Sequence, residues 1–368
     1  MKRKRFLVVA VLASLLLWAT GCGPGGDKTG GGTPAPSSGG ASADSDGLEN
    51  KLVLGVWGGS WNDMAQKYMF EPFKKQYPNV ELVPDLIGSS ADILAKMEAQ
   101  RNNPQMDIVT MTELMTVKAI KAGLVEKLTE SDVPELKELY DIARMDPYGP
   151  AILLANVGIA YNPKMIKEPP ASWNDLLDPK YKGQIALPTF GNTSAVSFLI
   201  MAAKMNGGDE KNIDPGFEFL NKLKPNVSQL YTTDADVQAR FQRGEIGIAV
   251  WWNGPAYAAK KAGVDVEFVT PKEGSPVIRS MINLVKNAPH PNAAKKMIGF
   301  YLNKEGQKGM AENIFYGPVN KNVVVSDELK SYMPYGEEAI KKLLSFDWSY
   351  VADQLNDWTQ RWEALFGK

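Results

Sequence analysis

GEIGIAVWWNGPAYAAKKAGVDVEFVTPKEG, Gly244–Gly274, carries the pattern that decides the fold. Ile246–Trp252 is a short apolar run of the buried-strand type, and Asn253, Gly254 and Pro255 break it. Ala256–Gly263 then reads as a helix, and DVEFVTP, Asp265–Pro271, as a second strand. Strand, helix and strand in so short a span argue for an α/β sheet. Two tryptophans stand side by side at the strand end. Adjacent strand residues point to opposite faces, so one ring belongs to the core and the other is free to line a binding surface. Trp252 is the cleft candidate and Trp251 the core candidate.

The same grammar recurs outward from that stretch. KLVLGV, Lys51–Val56, predicts a strand broken by GGSWND, and Asp63–Gln76 a helix with spaced apolar residues. Val80–Ile87 reads as a strand, and the next helix has Ser89 or Ser90 as its cap. Met106–Thr112 predicts a third strand, with a helix after it that ends near Gly123. After a break, Asn156–Pro163 reads as a strand. SWNDLLDPKYKGQIALP, Ser172–Pro188, gives helix, turn and strand, and TSAVSFLIMAAKMNG adds a further helix. The chain turns helical from Asn292, and again from Glu337 to Phe366. Ligands of such sheets sit at the carboxyl ends of the strands. Trp57, Gly58 and Gly59, Thr189–Ser194, and Trp251–Asn253 all fall there.

The bulk of the chain narrows the function. It has 368 residues and a formal net charge of -1, room for about two domains with no basic surplus for nucleic acid. Its single cysteine rules out an internal disulfide. That residue, Cys22, comes after a basic start at Lys2–Arg5 and a short apolar run at Phe6–Trp18. The run suits a targeting signal better than a membrane span. Ala19-Thr20-Gly21-Cys22 resembles a bacterial lipobox, which implies cleavage before Cys22 and lipidation of its thiol. Gly23–Asp46, mostly Gly, Ser, Pro and Ala, reads as a flexible tether. No metal-ligand spacing, phosphate loop or nucleophile elbow is present, so neither catalysis nor a cofactor is expected.

Three stretches in order carry a family resemblance: VWGGSWND near Trp57, Ser172–Pro188, and Gly244–Gly274. Together the body resembles the spermidine/putrescine-type periplasmic substrate-binding proteins of ABC transporters. The resemblance implies a two-lobed, type II-like periplasmic-binding-protein fold with a hinge and an interlobe ligand cleft. It implies a monomer that closes on a small molecule and delivers it to ABC permease subunits, held by its lipid anchor outside the cytoplasmic membrane or in the periplasm. The expected layout is a signal peptide at 1–21, a linker at 22–49, lobe 1 at 50–155 with 282–335, lobe 2 at 156–281, and a C-terminal helical segment at 336–368.

Trp57, Trp252 and Tyr316 match aromatic cleft positions of those relatives, and Trp61 flanks the same glycine turn as Trp57. The relatives' acids do not carry over. PTFGNTSAV, Pro188–Val196, stands where they place an acidic pair, and Ile278, Arg279 and Ser280 stand where they place Trp-Met-Asp. A polyamine needs carboxylates. Arg279 instead offers a donor fork suited to carboxylate or phosphonate, or else serves a hinge salt bridge. Thr193 and Ser194 open a helix whose free N–H groups favour an anion, or simply cap it. Asn192 and Asn253 suit a neutral polar group. The expected ligand is a small organic anion or zwitterion. The alternative is a polyamine held by other acids, among them Asp85, Glu113, Asp234, Asp236 or Asp347.

Overall fold

This computed structural model describes residues 47–367; the expected signal peptide, Cys22 and most of the expected linker lie outside the described residues. Ten strands form one sheet: β1 (Lys51–Val56), β2 (Glu81–Leu86), β3 (Ile108–Thr112), β4 (Ala151–Tyr161), β5 (Ile185–Pro188), β6 (Val227–Tyr231), β7 (Ile248–Trp252), β8 (Glu267–Val269), β9 (Ser275–Leu284) and β10 (Leu343–Leu344). The main order is β2-β1-β3-β9-β4-β7-β5-β6, with β8 on β4 and β10 on β9. The described residues belong to one compact unit.

Among the described residues thirteen α-helices accompany the sheet. In the first half they are α1 (Ser60–Ala65), α2 (Glu71–Gln76), α3 (Ser90–Ala99) and α4 (Glu113–Lys121). In the middle come α5 (Thr193–Met205), α6 (Asp214–Leu223), α7 (Asp234–Gln242) and α8 (Asn253–Lys261). The last are α9 (Pro291–Leu302), α10 (Lys304–Ile314), α11 (Asp327–Lys330), α12 (Glu337–Ile340) and α13 (Trp348–Phe366). The helix expected over Asp63–Gln76 is α1 and α2 joined by a π-helical turn, Gln66–Phe70.

The sheet has two arms that meet on β4 and β9. β1, β2 and β3 run parallel in the first arm, and β5, β6 and β7 run parallel in the second. β4 spans both. Its first half pairs with β9, and its second half, from Val157, pairs with β7 and β8. Every β4 residue except Tyr161 is buried, as a strand covered on both faces requires.

Strand register places the gap between the arms. β3 ends at Thr112, level with Ser280 of β9 and therefore with Leu153 of β4. β7 runs the other way and ends at Trp252, level with Val157. The two sets of strand ends thus point at one another across four residues of β4, or about 13 Å at 3.3 Å per residue. Six helices begin at this gap: α1, α3 and α4 from the first arm, and α5, α7 and α8 from the second.

The core fills behind the arms. Trp251 is fully buried and stacks on Phe241, with ring centroids 6.1 Å apart. At about 25 cal/mol per Å2, burying a tryptophan of 150–250 Å2 contributes roughly 4–6 kcal/mol before entropy is counted. α13 touches both arms. Lys121 of α4 pairs with Asp353 at 2.8 Å, while Arg361 pairs with Asp214 of α6 at 2.7 Å and Trp362 packs on Phe190 at 5.2 Å.

Candidate functional site

Each side of the gap is built from the turns and helix starts at the ends of strands. After β1 the chain passes through Trp57, Gly58 and Gly59 before α1 begins. Gly59 adopts a φ of 64°, and open space surrounds both glycines. That left-handed turn is cheap for glycine alone. It seats Trp57, half-buried, edge-on against Trp61 with centroids 4.9 Å apart and planes at 81°. Trp61 is 8% exposed and joins the core, so its ring braces Trp57 from behind.

After β3, Thr112 leads into Glu113, the first residue of α4. Glu113 is buried and meets Arg279 of β9 as a bidentate pair, Arg279 Nε donating at 2.8 Å and Nη2 donating to the other oxygen. Arg279 Nη1 donates to the Ile142 carbonyl at 2.7 Å. Burial pushes the Glu113 carboxyl above its ordinary value, and the guanidinium beside it opposes that rise. The structure therefore gives Arg279 to a carboxylate of its own chain. The charge reversal suggested by Arg279 is neutralised where it stands, because a buried cation without a counter-charge is costly.

In the second arm β5 runs into Thr189–Asn192 and then α5. Asn192 is the cap: its Oδ1 accepts from Ser194 N at 3.0 Å and from Ser194 Oγ at 2.9 Å. Ser194 is fully buried, so its hydroxyl serves the cap and faces no solute. Thr193 differs. It is half-buried, and neither its N–H nor its hydroxyl has a partner among the described residues. α5 carries no acid in its first turn. Thirteen residues of aligned peptides thus end in free donors at the gap.

After β7, Trp252 is half-buried where α8 begins. Asn253 is buried and its amide is fully used. Its Oδ1 accepts from Asn156 N at 3.0 Å, and its Nδ2 donates to the Phe315 and Tyr332 carbonyls at 3.1 and 3.0 Å. This asparagine ties β4 to the segment after α10 and leaves nothing for a solute. The tie holds Phe315 in the left-handed region, φ 61°, an uncommon place for a bulky residue. The turn delivers Tyr316, half-buried, against Gly254. A Cβ on Gly254 would lie 2.6 Å from the tyrosine ring.

Sequence reasoning did not single out Asp234, the first residue of α7, except among possible acids. Asp234 is exposed at the gap. Oδ1 accepts from Trp251 Nε1 at 2.7 Å. Burial raises its pKa, and the indole N–H opposes the rise. Burial and then the Asp234 charge push the Tyr231 and Tyr316 phenols well up. The signal that could have found Asp234 is its place directly after a strand, behind the cap Thr233.

The other expected residues divide cleanly. Trp251 is a core residue, as expected, and Trp173 is buried with it. His290 lays Nδ1 2.9 Å from the buried Asp107 carboxylate, because that carboxylate needs donors. Among the described residues no group of three His, Cys, Asp or Glu could hold a metal, and no helix is long and apolar enough to cross a membrane.

Strand ends meeting head-on over an aromatic-lined gap define an α/β periplasmic-binding-protein-type fold. Residues 68–334 match the bacterial extracellular solute-binding protein family, and the chain belongs to it. It is similar to an ABC transporter structure from Clostridium perfringens ATCC 13124, with 32% identity, a TM-score of 0.75, and 86% of this chain and 99% of that one covered. It is 26% identical to the spermidine/putrescine-binding periplasmic protein of Escherichia coli strain K12, over 71% of this chain and 76% of that one. It is 27% identical to a Salmonella typhimurium periplasmic protein named for 2-aminoethylphosphonate binding, over 76% of this chain and 81% of that one. The protein is the extracytoplasmic solute-binding component of an ABC importer, and its family and fold are those of non-catalytic binders.

Proposed function

We propose that this component captures a small organic anion or zwitterion bearing a carboxylate or phosphonate. The observation that carries the reading is the start of α5, where the Thr193 N–H and hydroxyl lack partners among the described residues and no acid occupies the first turn. A helix start of that kind favours an anion. Trp57, Trp252 and Tyr316 supply the aromatic walls, and the acid rests on Thr193 and the Asn192 amide rather than on Arg279. The relative named for an aminophosphonate agrees in ligand class.

The lobes are 50–155 with 282–335, and 156–281, hinged where β4 and β9 cross, and they close on the solute. The mature chain is a monomer anchored through lipid on Cys22. Replacing that residue, C22S, releases the folded protein from membranes; retention after a salt wash would refute the anchor.

Asp234 favours a second reading, a polyamine binder, in line with the Escherichia coli relative. Calorimetry separates the two. Carboxylate- or phosphonate-bearing compounds such as 4-aminobutyrate and 2-aminoethylphosphonate bind at micromolar levels, and spermidine does not. Tight spermidine binding with no binding of the acids would establish the polyamine reading.

A further inference from the structure

Five acids are candidates to grip a cationic ligand, and the structure sorts them. Asp85 pairs with Lys96 at 2.5 Å, Asp236 with Arg240 at 2.8 Å, and Glu113 with Arg279. Asp347 caps α13 through Tyr350 N at 3.1 Å and lies 3.9 Å from Lys211. Asp234 pairs with no cation among the described residues. Its single hydrogen bond there, from Trp251, leaves Oδ2 without a donor.

An exposed carboxylate with no counter-ion is held by water alone and is available to a cation that arrives. What faces it is aromatic and uncharged. Tyr231 comes from β6, Tyr316 from the segment after α10, and the Trp251 indole from β7. Tyr231 and Trp251 are fully buried, so it is the half-buried Tyr316 ring that is left to face an ammonium group beside Asp234. A free anion, by contrast, gains nothing from Asp234.

We infer that Asp234 is the residue that receives an ammonium group of the solute, so that the ligand is a zwitterion with its acid at the start of α5 and its amine at the start of α7. The inference rests on the proposed role of α5 as the anion site and narrows it. Strands β5 and β6, which lead to these helices, are neighbours in the sheet, spaced about 4.8 Å. Acid and amine therefore belong to one small molecule. Selection works in both directions: a polyamine leaves the α5 donors unmet, and a simple acid leaves Asp234 unmet.

The test pairs compounds that differ by the amine: 2-aminoethylphosphonate against ethylphosphonate, and 4-aminobutyrate against butyrate. Calorimetry on the wild type should show the amine-bearing member of a pair binding at least about tenfold tighter, as a desolvated charge pair gives. Asp234→Asn keeps an acceptor for Trp251 Nε1, and should erase that preference while leaving ethylphosphonate binding unchanged or stronger. A preference that survives D234N overturns the inference, as does equal binding of both members to the wild type. Failure of every amine-bearing probe, spermidine included, overturns it as well. If spermidine alone binds and loses affinity in D234N, the amine site stands and the reading of α5 falls. Should D234N not fold, a pH series on the wild type decides. The amine preference must fade on acidification, as Asp234 takes up a proton, and a preference flat with pH refutes the assignment.

Discussion

The two sides of the gap are made of the same parts and are finished differently. In the first arm every helix that starts at the gap carries an acid in its first turn: Asp63 on α1, Asp92 on α3 and Glu113 on α4. Asp92 accepts from the Ser89 hydroxyl at 2.6 Å, and Glu113 is spent on Arg279. In the second arm α5 and α8 carry no such acid, and Asp234 of α7 has no cation among the described residues. The first side spends its buried acid on Arg279, leaves Asp63 and Asp92 without a cation among the described residues, and offers rings and an open glycine turn. The second side holds both an unmet donor set and an unmet carboxylate. On the proposed reading the solute's charges are met in the second arm, and the first arm supplies a wall.

Removing the carboxylate on each side gives the largest contrast. Glu113→Ala strands a buried guanidinium and should cost about 3–5 kcal/mol of stability in urea unfolding. D234N, at an exposed position, should cost less than about 1 kcal/mol. Equal losses would break the comparison. The reciprocal change, Arg279→Ala, leaves Glu113 with burial alone, which raises its pKa above the ordinary 4.5. The folded form then binds the proton more tightly than the unfolded chain. Stability should be least affected below pH 4.5 and should fall as pH rises through the folded value. Loss of stability toward acid in R279A would contradict that sign.

The walls come next. Trp57→Ala and Trp252→Ala should each weaken solute binding by about 1–3 kcal/mol in a protein that melts lower but still folds, since each ring is half-buried at the gap and packs on the core. An effect confined to Trp252 would assign the aromatic contact to the second arm alone. Smaller still is Gly254→Ala, whose new methyl meets the Tyr316 ring. It should cost about 1–3 kcal/mol of stability, and less in affinity than losing a tryptophan. A neutral G254A would show that Tyr316 is free to shift.

Much of this arrangement was legible in the sequence, and unevenly so. β1, α5, β7 and α8 come from local pattern, because apolar runs end at Gly, Pro or a polar cap. β9 was not anticipated, although Arg279 within it was. SPVIRSMINL has a proline at its second position and buried residues on both faces, so no alternation marks it as a strand. β4 begins five residues earlier than NVGIAY suggests, for the same reason. Trp57, Thr193 and Trp252 stand at the gap because strand ends lead there, and Tyr316 because the turn after α10 sets it against Gly254. Ser194, Asn253 and Arg279 could not be judged from residue type. Their donors are consumed by the Asn192 cap, the 315–332 segment and Glu113, partners set by the tertiary fold.

A crystal structure of the full chain soaked with 2-aminoethylphosphonate tests the central claim most directly. The account predicts phosphonate oxygens within hydrogen-bond distance of the Thr193 N–H and hydroxyl, the amine on Asp234, and the Glu113–Arg279 pair intact. A phosphonate bound to an Arg279 released from Glu113, with the start of α5 left bare, would contradict it.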